Sequence, residues 1–458
     1  MRRELSVEEK KLASRAAIIC YGFGDLASQF VWTFVGTYLT VFYSDVVGLA
    51  PAAVSAIMLI ARIWDAVNDP MMGAFAERTR SRWGRFRPYI AFGCPFLAIF
   101  GVLTFTKPFA GGAPAVIWAG VIYIIAGMIY TLVNIPYGAM AAVMSTDSGQ
   151  INKINTSRNI GMNLGMVVVN AVSAPLMLAF SGKGAEVATA RGYTMTALIY
   201  GIVAIPLFLI VFFTARENVK PVGQPAKFSF KDTISNLVKN KYLMIISLVM
   251  TLLMTAFMGR IAVTAFYVIY CLGSFRLISL IMTIPSIGSI VGSFAVPFLA
   301  KKLGKRNTLM ISMFLNALGL LIIYLAPFDN IPMVIIGDCI FGITSIGFPI
   351  SLSMVADSVD YMEEKTGVRT DGTAYATYGL ATKIGNAVGG AVGLPLMVAF
   401  GYVANQGQTA EALAGINKVV NLFPAILFIL GGIACLLWRM SDKDADDIRA
   451  RLRSKRES

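Results

Sequence analysis

The stretch LIARIWDAVNDPMMG, residues 59–73, sets Arg62, Asp65, Asn68 and Asp69 inside a run that is otherwise apolar. At about 100° per residue, Arg62, Asp65, Asn68, Asp69 and Met72 share one helix face about 120° wide. Asp65 and Asp69 lie one turn apart, so their carboxylates can converge. Two close carboxylates repel, and either a shared proton or a bound cation relieves that repulsion. Asn68 adds a neutral oxygen. Pro70 withholds the N–H that the Ala66 carbonyl would otherwise receive, which predicts a partly unwound turn. An acidic, oxygen-rich turn is suited to Na⁺ or H⁺, with Asp65 and Asp69 as the metal ligands if the ion is Na⁺. A purely structural salt bridge is the competing reading, but one arginine cannot neutralise two acids.

Further polar residues in apolar runs can complete a pocket. Thr131 and Asn134 are three apart and precede Pro136-Tyr137; Arg158, Asn159 and Asn163 line up over about one turn; Tyr21, Asp25 and Gln29 are spaced i, i+4, i+8. Tyr375, Tyr378, Thr382, Lys383 and Asn386 form another stripe. Amides, hydroxyls and aromatic rings suit a polyhydroxylated ligand, through hydrogen bonds and stacking on sugar faces. Any one of them alone is more often interhelical glue. Arg260 and Asp338 are read as a structural charge pair and given no ligand.

The elements that carry these residues follow from composition. Of 458 residues, 57% are hydrophobic and 14% charged, with mean hydropathy +0.70. Soluble proteins carry about 25% charged residues, so the bilayer is the expected solvent. Twelve segments approach the length of a membrane-spanning helix: 16–43, 51–76, 89–107, 115–145, 158–181, 192–215, 242–270, 277–300, 308–327, 332–357, 372–402 and 418–438. A charge at a helix centre costs about 2.5–3.5 kcal/mol, so the intramembrane charges must face one another or a wet cavity. The chain lacks histidine, which excludes His-based catalysis and His metal sites, and its five cysteines show no paired spacing, so free thiols are expected. It carries no Walker-type or GxGxxG run, so no cofactor is expected and an enzyme is disfavoured.

The net charge of +14 does not indicate nucleic-acid binding, because the basic residues sit in short loops. With the N-terminus inside, roughly thirty of the thirty-nine Lys and Arg fall in cytoplasmic segments, leaving Lys107, Lys183, Arg191, Arg276 and Lys418 outside. Both termini are therefore expected in the cytoplasm, and the first apolar run is too long for a cleaved signal. The polar loop 216–241 divides the helices six and six. The loops ERTRSRWGRFRP (77–88) and LAKKLGKRN (299–307) occupy the same place in each half, and both set Gly-basic ahead of another basic residue. This predicts an all-α integral membrane protein of the major facilitator architecture: a first half over 1–215, the central loop 216–241, a second half over 242–438 and a tail over 439–458. In that architecture the substrate site lies between the halves.

YGFGDLASQF (21–30), FYSDVVGL (42–49), ARIWDAVNDPMMG (61–73), TRSRWGRFRP (79–88), NIPYGAM (134–140) and MVADSVDYMEEKTGVR (354–369) together resemble the glycoside–pentoside–hexuronide:cation symporter family. Melibiose permease and the glucuronide carrier belong to that family. The resemblance implies that Asp65, Asn68, Asp69 and Thr131 bind the coupling cation. It also implies sugar-facing roles for Arg158, Lys383 and Phe348. The family's melibiose-transporting members have acids where this chain has Gln29 and Asn134, and a tryptophan where it has Gly138. The cation half of the site is kept and the sugar half altered, which points away from galactosides and toward a hexuronide or a pentoside.

The expectation is secondary active transport across the cytoplasmic membrane by alternating access, as a monomer among membrane lipids. Na⁺ or H⁺ binds at Asp65, Asn68, Asp69 and Thr131. The sugar binds at Tyr21, Asp25, Gln29, Asn134, Tyr137, Arg158, Asn159, Phe348, Tyr375, Tyr378 and Lys383. The loop 77–88 and the acids Asp357, Asp360, Glu363 and Glu364 are expected to lock an inner gate. A lysolipid transporter on the same fold is the alternative, and it would need an apolar groove opening sideways between helices.

Overall fold

The computed structural model describes residues 12–218, 239–367, 369 and 371–457, and its regular elements are all helical. Most of the central loop, and residues 1–11 of the N-terminal segment, lie outside the described residues. Six helices form the first run: α1 (Arg15–Val41), α2 (Pro51–Arg78), α3 (Arg87–Thr104), α4 (Gly112–Met140), α5 (Ser148–Ser181) and α6 (Ala190–Thr214). The second run holds α7 (Lys241–Phe266), α8 (Leu277–Leu303), α9 (Lys305–Leu325), α10 (Ile331–Thr344), α11 (Gly347–Thr366), α12 (Asp371–Ala399), α13 (Ala410–Asn417) and α14 (Phe423–Cys435). A last helix, α15 (Asp442–Glu457), is polar and ends the chain.

Among the described residues, eleven helical stretches are long and apolar enough to cross a membrane. The remaining expected span is the continuous helix α12, whose Thr373, Tyr375, Thr377, Tyr378, Thr382, Lys383 and Asn386 lower its apolarity. The tenth span is not one helix. It breaks at Ser345 and Ile346, between α10 and α11. Pro349 has no N–H to give the Ser345 carbonyl, so the ladder cannot run through this point. Asn316 of α9 compensates by donating to the Thr344 carbonyl at 3.1 Å and accepting from Ser345 Oγ at 2.9 Å.

The described chain groups into two units. One holds residues 12–35 and 63–218, the other 36–62 and 239–457. The divisions inside α1 and α2 assign their ends around the connecting turn to the second unit. There the Asp45 carboxylate accepts from Ser44 at 2.6 Å, Tyr402 at 2.6 Å and Tyr270 at 2.7 Å.

Each unit uses the same two devices. The first is a close helix pair made by glycine, between the first and fifth spans of each half. A Cβ on Gly161 of α5 would lie 2.0 Å from the Gly22 carbonyl of α1, and one on Gly389 of α12 would lie 2.6 Å from the Thr255 carbonyl of α7. Small residues let membrane helices approach this closely. The second is a carboxylate cap on the third span. Glu217, just after α6, accepts from the backbone N–H groups of Arg85, Phe86 and Arg87 at 2.9, 2.6 and 3.2 Å. Asp442, at the start of α15, accepts from Lys305 N–H at 3.0 Å. Both loops turn through a glycine at positive φ, Gly84 at 113° and Gly304 at 81°, beside which the carboxylate packs. An anion at a helix N-terminus satisfies orphan donors and complements the helix dipole. The faint sequence repeat at these loops is thus a repeat of structure.

Candidate functional site

The expected site residues divide between the two units, and each set is described within its own unit. The residues expected to bind the cation lie on α2 and α4 of the first unit. Helix α2 is polar on its inward face: Asn68 is buried and Asp65, Asp69 and Met72 are partly buried, whereas Ile63, Trp64, Val67 and Met71 are exposed. The two acids therefore turn toward protein and the apolar residues toward the surroundings. The expected unwinding at Pro70 does not occur, and α2 runs continuously from Pro51 to Arg78. One missing backbone bond leaves the flanking turns intact, and tertiary packing holds the turn together.

Opposite this face, α4 presents a matching period. The Thr131 hydroxyl donates to Asp69 Oδ1 at 2.9 Å. One turn earlier, a Cβ built on Gly127 would lie 3.2 Å from Asp65 Oδ1. Residues 65 and 69 of α2 thus meet residues 127 and 131 of α4 in register. Gly127 escaped the sequence reading, although its i−4 spacing from Thr131 repeats that of the acids. Asn68 is 5% exposed, and among the described residues its Nδ2 has no hydrogen-bond partner. Among the described residues no group of three or more His, Cys, Asp or Glu could hold a metal ion. The set here is of another kind: two carboxylates with a hydroxyl and an amide, which matches one small monovalent cation or a proton.

A second cluster joins α1, α4 and α5. Arg158 Nε donates to Asp25 Oδ2 at 2.8 Å, and its guanidinium lies 4.9 Å above the Tyr137 ring. Tyr137 also donates to the Tyr21 carbonyl at 2.6 Å, Tyr21 donates to the Tyr137 carbonyl, and their rings stack at 4.6 Å. Tyr21 and Tyr137 are fully buried, and Asp25 is 7% exposed. In this arrangement the tyrosines fix Asp25, Asp25 fixes Arg158, and the arginine is the member of the cluster with solvent access. A Cβ on Gly138 would come 3.8 Å from both Nη atoms of Arg158, so the position opens space beside the guanidinium.

Gln29 lies further along α1, where its Oε1 accepts from Thr33 at 2.6 Å. Asn134 donates to the Tyr130 hydroxyl at 2.7 Å, and the Tyr130 ring stacks on Trp32 at 4.2 Å. Neither Tyr130 nor Trp32 was singled out from the sequence. Asn159 is exposed, and its carbonyl accepts from Asn163.

In the second unit Phe348 is the second residue of α11, just after the break, and is half exposed. Its ring lies 6.3 Å from that of Tyr378, which is buried and shares a 2.8 Å hydrogen bond with Ser351. Tyr375, one turn before Tyr378, is exposed, and Lys383 is partly buried. The acids expected at an inner gate have partners inside this unit. Asp357 pairs with Lys305 at 2.6 Å and with Arg449, Asp360 with Arg369 at 3.0 Å and Arg449 at 3.2 Å, and Glu364 with Arg451 at 2.5 Å. Glu363 pairs with Arg369 at 2.7 Å. The bonds from Arg449 and Arg451 strap α15 to α11, while Lys305 and Arg369 tie the same acidic stretch to α9 and to the segment after α11. The neighbouring carboxylates raise the pKa of Arg369, Arg449 and Arg451, so these three guanidinium groups stay charged. Arg260 and Asp338 form a buried pair at 2.5 Å, with Arg260 above the Phe341 ring.

Comparison with known proteins follows the geometry. Residues 20–442 match the family model described as MFS/sugar transport protein. The chain is 33% identical to the isoprimeverose transporter of Lactiplantibacillus pentosus, over 95% of this chain and 91% of that one. It is 29% identical to the glucuronide carrier protein homolog of Escherichia coli (strain K12), over 94% of each. Among solved structures, the nucleoside transporter NupG superposes with a TM-score of 0.62 at 14% identity, over 93% of this chain and 100% of that one. A bacterial homolog of the human lysosomal transporter Spinster gives 0.64 at 13% identity, over 94% and 97%. These last two likenesses concern the fold.

Proposed function

The chain belongs to the MFS/sugar transport protein family, and from that premise we propose that it couples uptake of a pentoside or hexuronide glycoside to Na⁺. Sugar symport driven by a cation, on a multi-pass membrane fold and without enzymatic activity, is the family's common ground here. The finer assignment is our reading. It rests on one observation: Asp65 and Asp69 of α2 meet Gly127 and Thr131 of α4 in register.

Two carboxylates, a hydroxyl and an amide supply a small oxygen cage that favours Na⁺ over a proton, which needs one acid only. The sugar binds beside Arg158, whose access next to Gly138 accommodates either a carboxylate or a cluster of hydroxyls. Gln29, Asn134 and Asn159 of the same unit supply further polar groups. Coupling follows if each ligand raises the affinity of the other. The chain works as a monomer in the cytoplasmic membrane, with both termini inside. Relatives named for glycosides weigh against the lysolipid alternative.

The test is uptake of labelled isoprimeverose and of a labelled glucuronide into vesicles, with Na⁺ varied at fixed pH. Accumulation of one sugar should rise with Na⁺, and Asp65→Cys should abolish accumulation while leaving sugar exchange. Uptake that follows a pH gradient and ignores Na⁺ would replace the sodium reading with a proton one. Concentrative uptake by Asp65→Cys would overturn the site.

A further inference from the structure

With both termini inside, as proposed, the first span of each half runs outward, and the two outer ends are built alike. After α1 the chain winds through a π-helical turn, Phe42–Val47, and stops at Gly48 with φ 81°. After α7 it winds through another, Tyr267–Cys271, and Gly273 follows with φ 66°. Such turns are rare and frequently mark functional sites. Each of these carries one member of a polar contact: Tyr270 of the second donates to Asp45 Oδ2 of the first at 2.7 Å. Tyr402, in the loop after α12, donates to Asp45 Oδ1 at 2.6 Å, and Ser44 donates to the same oxygen at 2.6 Å. The Tyr402 ring packs edge-on against Phe266 and Tyr270.

Glu217 and Asp442 hold elements of their own half. Asp45 differs: by sequence it belongs to the first half, and both tyrosines, 225 and 357 residues away, belong to the second. Alternating access requires the halves to part at one face and then at the other. A contact that ties the turn after α1 to α7 and α12 must therefore break whenever the outer face opens. We propose that Asp45, Tyr270 and Tyr402 form a latch that stabilises the state closed at the outer face, an inference that rests on the transport reading above. Bonds from hydroxyls to a carboxylate are short and strong, as these are. Asp45 and Tyr270 are partly exposed, so water can replace the tyrosines as the latch opens. Ser44, Val47 and Tyr402 are buried, and opening uncovers them.

The experiment follows maleimide labelling of Val47→Cys in the purified full chain, with the labelled site located by mass spectrometry. Val47 is 5% exposed and takes no part in the latch. Adding Asp45→Ala should speed its labelling by roughly tenfold or more, since losing bonds to a charged acceptor shifts the open-to-closed ratio by at least that factor. Tyr270→Phe/Tyr402→Phe should do the same while leaving the carboxylate in place. Cys94 and Cys435, buried in other parts of the chain, should stay unlabelled throughout. Unchanged labelling of Val47→Cys in either background overturns the proposal. Labelling of Cys94 and Cys435 that rises in step also overturns it, because the fold has then loosened and no latch has opened. Neither sugar nor Na⁺ is needed, so the result is separable from the uptake assay. Faster labelling without uptake of either sugar removes the sugar reading and keeps the latch; uptake with unchanged labelling removes the latch alone.

Discussion

At the scale of single residues, the proposed cation site depends on a side chain that is missing. Gly127 leaves room for Asp65 where any other residue would set a Cβ 3.2 Å from its carboxylate oxygen. That contact is tighter than carbon normally tolerates, so Gly127→Ala must push Asp65 aside by a few tenths of an ångström. Thr131 and Asp69 stay in place. We expect Gly127→Ala to raise the Na⁺ concentration for half-maximal uptake by about tenfold, equivalent to about 1.4 kcal/mol, with little change in thermal midpoint. Sodium titration of sugar uptake checks this, and an unchanged midpoint for Na⁺ would mean that the cation does not touch Asp65. Arg158 shows the complementary case. Its Nε is committed to Asp25, which leaves the Nη edge for the proposed sugar contact.

At the scale of elements, the two carboxylate caps explain how each half holds its third span. Glu217 receives three backbone N–H bonds at the start of α3, two of them at 2.9 Å or less. Bonds to a charged acceptor are worth roughly 1.5–3 kcal/mol each at most, and helix caps about 1 kcal/mol. Glu217→Ala should therefore destabilise the protein by about 2 kcal/mol, and Asp442→Ala, which loses one such bond, by about 1 kcal/mol. Thermal unfolding in detergent reads both, and the expected order is Glu217→Ala below Asp442→Ala below wild type. The broken tenth span makes a different point. It places Phe348 near the start of a half-helix, directly after a break in the backbone ladder.

At the scale of the whole molecule, a symporter's two ligands must favour each other. A ligand at one hundred times its Kd stabilises the native state by about 2.7 kcal/mol. Na⁺ should raise the thermal midpoint of the purified protein, K⁺ should not, and Na⁺ with the transported sugar should raise it by more than the sum of the two alone. In Asp69→Asn the Na⁺ increment and the surplus should both vanish. A sugar shift that is the same with and without Na⁺ would contradict coupling, because linkage is reciprocal.

The sequence by itself determined the elements and the polar face of α2. Hydropathy over about twenty residues sets a spanning helix, and 3.6-residue periodicity sets which side chains share a face, so both are local properties. The repeat of Gly84-Arg85 and Gly304-Lys305 was visible for the same reason, as were the intramembrane charges. Only the tertiary structure decided what those faces meet. That Gly127 stands opposite Asp65, that Tyr21 and Tyr137 are spent on fixing Asp25, and that the acids of α11 are strapped by α15 all depend on contacts distant in sequence. The break at Ser345 and the continuity of α2 through Pro70 carry the same lesson. Each proline removes one backbone bond, but whether the turn opens depends on neighbouring helices, which no local pattern records.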